Sequence, residues 1–143
     1  RATDMTYASA LLTDPAAVYR QIDVVGRTAM ADGPALVQLL YEELISALRS
    51  AAWATDHGQL ARKSERVTRA TAILFALEAG LDFEHGGEMS ITFAKLYGGA
   101  RKQIVDASLG QDAQIFRNVA ASIADIAEAW ETVRKMNDSK KGN

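Results

Sequence analysis

Cysteine is absent from this 143-residue chain, so a disulfide framework, a thiolate nucleophile and a cysteine-bound metal are all excluded. A cysteine-free chain agrees with a reducing compartment, the cytosol. Proline is almost as scarce. Pro15 and Pro34 are the two present, and from Ala35 onward nothing interrupts a helix by that route. Valine, isoleucine and threonine never alternate with polar residues for the length of a strand, which argues against a sheet. No run approaches the roughly 18 uninterrupted apolar residues of a membrane span, and no charged start leading into an apolar core marks a signal peptide. Charge of one sign is lacking too. A net charge of −2 and an isoelectric point near 5.7 leave no basic field to attract nucleic acid.

What remains is ordinary globular usage, 48% apolar and 24% charged, in a chain long enough for one domain with a real core. Helical periodicity then divides it. Asp14-Pro15 is a helix-start signal, followed by Val18, Tyr19, Ile22, Val25 and Met30, with Gly26 between them. Asp32-Gly33-Pro34 repeats the signal. Leu36, Val37, Leu40, Tyr41, Leu44, Ile45 and Leu48 then fall on one side of a helix that runs to about Asp56 and stops at Gly58. Leu60, Val67, Leu74 and Leu81 recur at sevens, the seam of a shallow-angle bundle, up to Gly80. Gly86-Gly87 separates this segment from the next, in which Met89, Phe93, Leu96, Tyr97, Ala100, Ile104 and Ala107 share a stripe ended by Gly110. In the last segment Ile115, Val119, Ile123, Ile126, Trp130 and Val133 do the same. Short links force neighbouring helices to run antiparallel. The expectation is an all-α, up-down four-helix bundle over 34–137, preceded by a short helical cap at 14–31 and followed by a flexible polar tail at 138–143.

Candidate chemistry is thin. Asp82, Glu84 and His85 place acids near a histidine, but in a link between helices and without the second acid–histidine pair of a di-metal bundle. They are expected as cap and loop residues, with a metal-binding bundle as the rival. Gly86-Gly87 precedes a helix, where backbone N–H groups can hold phosphate, yet Glu88 follows instead of a lysine and would repel an anion. No G-x-S-x-G occurs. No enzyme and no cofactor are expected. Arg62, Lys63, Arg66 and Arg69, with Glu65 among them, are expected on the solvated face of one helix. Gly98-Gly99 inside a helix costs about 1 kcal/mol per glycine relative to alanine. It signals close contact with a facing helix, a harmless weak point, or a local opening that admits a partner's side chain.

Several blocks, taken together, resemble the FliS-type flagellin export chaperones. They are Tyr19 in the first segment, then Pro34 with Leu36-Val37, and Leu40-Tyr41-Glu42. After these come Ala79-Gly80-Leu81-Asp82, Gly86-Gly87-Glu88, Leu96-Tyr97, Asp112-Ala113 and Ala129-Trp130. The likeness covers roughly residues 16 to 135. It departs where Gly33 stands for a serine, Gly98-Gly99 for Asp-Tyr and Glu43-Leu44 for Gly-Ala, which touches the fine shape of any groove there.

The resemblance implies a non-enzymatic cytosolic chaperone of type III flagellar export. It would bind the C-terminal helical region of flagellin, prevent premature polymerisation and assist delivery to the export gate. An anti-sigma factor or a co-chaperone would be further partners, with neither nucleic acid nor membrane insertion involved. Helix-in-groove capture needs apolar residues on more than one side of the bundle. The candidate groove residues are Leu39, Tyr41, Ile91 and Tyr97. Tyr19 and Ile22 would belong to a lid over that surface, Tyr19 also docking to the gate; the alternative for Tyr19 is a permanent core anchor. The rival to the whole is a non-catalytic helical adaptor or dimerisation module unrelated to flagellin.

Overall fold

In the computed structural model the described residues are 33–141. They form α1 (Gly33–Asp56), α2 (Leu60–Ala79), α3 (Phe83–Ser108) and α4 (Ala113–Lys141), with no strand among them. The all-α bundle expected from the periodicity is the fold observed. Tyr19, Ile22 and the rest of the expected cap lie outside the described residues.

Leucines spaced by four explain α1. Leu40, Leu44 and Leu48 are fully buried, and Ala51 continues their line. α1 packs on both α2 and α4, α2 packs on α3, and the α3–α4 seam is the sparsest of the four. An ion pair joins Asp56 to Arg117 at one end of the α1–α4 pair, and Tyr41 meets Trp130 edge-on at 6.4 Å near the other. Numbers rise along α1 as they fall along α4, so these helices run in opposite directions. The same holds for α2 and α3. Arg101 bonds Glu78 at 3.0 Å, while Lys63 donates to the Gly110 carbonyl at 2.6 Å.

Alanine supplies much of the core, with Ala47, Ala51, Ala70, Ala76, Ala107 and Ala120 all at or below 3% exposure. Small residues at the contacts let helix axes approach closely. Phe116, fully buried, fills the space beside them. The periodicity had favoured its neighbour Ile115, which is half-buried.

Four expectations are corrected. Leu60 opens the seam of sevens on paper but is 72% exposed, because as the first residue of α2 it lies at the end of the seam. Met89 and Val133, expected inward, are 63% and 51% exposed, since the α3–α4 seam closes poorly. The basic cluster is not one solvated face. Lys63 is 6% exposed and its ammonium satisfies the carbonyl just past α3, Arg69 pairs with Glu43 across the α1–α2 seam, and Arg62 lies over the Trp53 ring. Helix α4 also continues to Lys141, past the expected tail boundary at 138, as no proline or glycine intervenes before Gly142.

Candidate functional site

The site begins with how the chain enters α3. Asp82 caps the helix, its Oδ1 accepting from the N–H groups of Glu84 and His85 at 3.1 Å each. Its other oxygen meets His85 Nδ1 at 2.7 Å. The bonds from His85, backbone first and then side chain, hold the Asp82 carboxyl below its ordinary value. Asp82 and His85 therefore serve a cap, as expected of them, and no group of three or more metal-ligating side chains occurs among the described residues.

The two glycines that follow have separate reasons. Ser90 folds back to donate to the Asp82 carbonyl at 2.8 Å, and a Cβ on Gly86 would stand 2.0 Å from that serine oxygen. Gly87 has φ 52° and ψ −128°, a conformation that side chains with a Cβ strongly disfavour. Gly86-Gly87 thus makes the expected break, a kink at Gly87 that divides a short first turn beginning at Phe83 from the main helix of α3. This knot fixes Leu81 on one side and Phe93 on the other.

Between them opens an apolar groove of about 380 Å³ at one end of the bundle. Leu36 and Val37 of α1, Leu77 of α2, Leu81 of the link, Phe93 of α3 and Trp130 of α4 form its walls. Tyr41 and Tyr97 lie at its base, each 2% exposed, with their hydroxyls 2.6 Å apart. Phe93 stacks on Tyr97 at 5.8 Å. Burial pushes both phenols above their ordinary value; for Tyr97 the bond to Tyr41 adds to the rise, whereas for Tyr41 the bond offsets part of it.

Of the expected groove residues, the structure brings Tyr41 and Tyr97 together and leaves Leu39 and Ile91 out. Leu39 is half-buried and Ile91 is 48% exposed, and neither lines the groove. One geometric reason covers both. Leu39 stands two residues from Val37 and from Tyr41, and Ile91 two from Phe93, a rotation of about 200° around the helix. Phe93 and Trp130 carried the signal in their inward stripes, but periodicity assigned them to closed core. That helix ends would leave them facing an opening was not visible in the stripe.

Gly98-Gly99 remains helical, since only Gly87 departs from helical geometry in α3. A Cβ on Gly98 would meet Glu78 Oε1 at an ordinary 3.5 Å, and one on Gly99 would meet nothing within 4 Å. Neither glycine is needed for close contact. Gly99 instead lines an opening of about 220 Å³ in the α3–α4 seam, with Leu96, Ser122 and Ile123.

Four helices around an open apolar groove define a helical-bundle binding protein. The family profile described as "Flagellar protein FliS" matches residues 15–137. The flagellar secretion chaperone FliS of Salmonella typhimurium is 32% identical over 116 residues, covering 80% of this chain and 86% of that protein. FliSB of Pseudomonas aeruginosa, also named a flagellar secretion chaperone, is 25% identical over 80% of this chain and 91% of its own length. The Vibrio cholerae FliS is 28% identical over 80% and 85%. The chain belongs to the FliS family of flagellar secretion chaperones. No described helix is long and apolar enough to cross a membrane.

Proposed function

We propose that this protein captures the C-terminal helical region of flagellin in the cytosol, keeps it from polymerising early and helps deliver it to the export gate. The observation that supports this reading is the open apolar groove walled by all four helices in a chain of this family. A partner helix seated there would set its apolar face against Val37, Leu77, Phe93 and Trp130. A wrap-around complex extending beyond the groove would bury on the order of 2,000 Å², and ordering a disordered tail would absorb a few kcal/mol of the gross energy. Tyr41 and Tyr97 act from the base of the groove. Tyr19 and Ile22 belong to a lid, and Gly33, to which that segment is joined, lines the groove.

Calorimetric titration with a flagellin C-terminal fragment tests this. Saturable one-to-one binding with a strongly negative heat-capacity change is the expected result. Leu81→Glu, at the half-buried rim, should abolish that binding while helicity is retained. Absence of binding by the wild-type chain, or a Leu81→Glu variant that binds normally, would sink the proposal.

A further inference from the structure

A second concavity lies at the other end of the α1–α4 pair. It encloses about 490 Å³, more than the groove, between Arg49 and Trp53 of α1 and Arg117, Ala120 and Ala121 of α4. Val37 in the groove and Trp53 here are separated by roughly 24 Å along α1, so a ligand in one does not fill the other.

Its chemistry is the reverse of the groove's. Arg49 is exposed and makes no hydrogen bond or ion pair among the described residues. Arg117 is held by Asp56, and both of those side chains are 44% exposed. The guanidinium of Arg62 stands 5.2 Å from the centre of the Trp53 ring. Three arginines thus converge on a corner where Asp56 is the carboxylate in contact, in a chain whose net charge is −2. Among the described residues no acidic side chain lines the cleft, and its floor is alanine, which lets another chain approach the backbone.

Isolated surface arginines are usually just solvated. Here Trp53 is 43% exposed yet fixed in place, with the His57 ring stacked on it at 4.0 Å. A held tryptophan beside arginines is the composition of binding hot spots. Asp56 shows in addition that a carboxylate can sit on Arg117. The His57 ring stacked on the indole already takes one of the faces on which a base of single-stranded nucleic acid would stack.

We propose that this cleft docks an acidic segment of a protein partner, with a carboxylate between Arg49 and Arg117 and an apolar side chain against the edge of Trp53. Asp56 competes for Arg117 and swings aside when the partner's carboxylate arrives. The site is independent of the groove, and either can fail without the other.

The test uses the full chain carrying Trp130→Phe, which leaves Trp53 as the sole tryptophan. It is titrated with a short capped peptide of alternating glutamate and leucine, with the glutamine counterpart, and with oligouridylate. The glutamate peptide should change Trp53 emission saturably, and added salt should weaken it. Arg49→Gln should weaken binding about three- to fivefold, as for an exposed charge pair. Asp56→Asn should tighten it, because a competitor has been removed. Circular dichroism verifies that both variants remain folded. No saturable change, equal binding of the glutamine peptide, an unaffected Arg49→Gln variant, weaker binding by Asp56→Asn, or preference for oligouridylate would each overturn the proposal.

Discussion

Tyr41 and Tyr97 share a single hydrogen bond at 2.6 Å beneath the groove, and both phenols resist ionisation because burial disfavours the phenolate. The sign of the consequence follows from linkage. The folded chain holds these protons to higher pH than the unfolded chain, where a phenol titrates near 10. Their stabilising contribution is therefore complete below about pH 10 and is lost as pH rises above it. Absorbance at 295 nm should show that these two tyrosines ionise only as the helices unfold, and the double variant Tyr41→Phe with Tyr97→Phe should unfold at higher pH than wild type. At neutral pH Tyr41→Phe alone should destabilise by about 1–3 kcal/mol, because it strands the Tyr97 hydroxyl. The double variant should cost less than the two single variants summed, as both partners are then apolar. Additive costs in denaturant melts would show that the hydroxyls are not coupled.

At the scale of the element, α3 holds two glycine pairs that do different work. Gly87 sits at φ 52°, so Gly87→Ala should cost about 1–3 kcal/mol in backbone strain and disturb the Asp82–Ser90 knot that positions Leu81 and Phe93. Gly99 is ordinary helix with open space where a Cβ would go. Gly99→Ala should accordingly stabilise the chain by about 0.5–1 kcal/mol. Urea midpoints measure both, and a Gly99→Ala variant less stable than wild type would mean that something does occupy the opening. If that opening receives a partner's side chain, the same substitution should weaken flagellin-fragment binding even as it raises the urea midpoint.

The whole molecule separates an apolar end from a basic one. α1 and α4 carry both, with Val37 and Trp130 in the groove and Arg49 and Arg117 in the opposite cleft. Tight packing of α1 on its neighbours, and the ion pairs Glu43–Arg69 and Glu78–Arg101, hold three seams while α3–α4 stays loosely closed. On the proposed function, a lid over the groove would have to be held weakly to give way to a partner. Tyr19→Ala should therefore raise the affinity for the flagellin fragment severalfold while leaving the melting temperature unchanged. A drop in melting temperature without any gain in affinity would make Tyr19 a core anchor.

How much of this was legible in the sequence varies with the kind of feature. Helix class and the stops at Gly58, Gly80 and Gly110 are local matters, set by periodicity, missing prolines and caps within a few residues. The motif blocks carried the family as well. Periodicity also placed Tyr41 and Tyr97 inward, though not against each other, because a contact across 56 positions is not a local property. It could not say that Leu60, Met89 and Val133 would be exposed, since a stripe records which residues share a face and not whether another helix arrives to cover it. Only the tertiary structure decided that Lys63 reaches the end of α3, that Phe116 rather than Ile115 fills the core, and that Leu39 and Ile91 turn away from the groove. The groove and the arginine cleft exist because residues of different helices meet in space. That depends on crossing and register, which a single chain read in order does not contain.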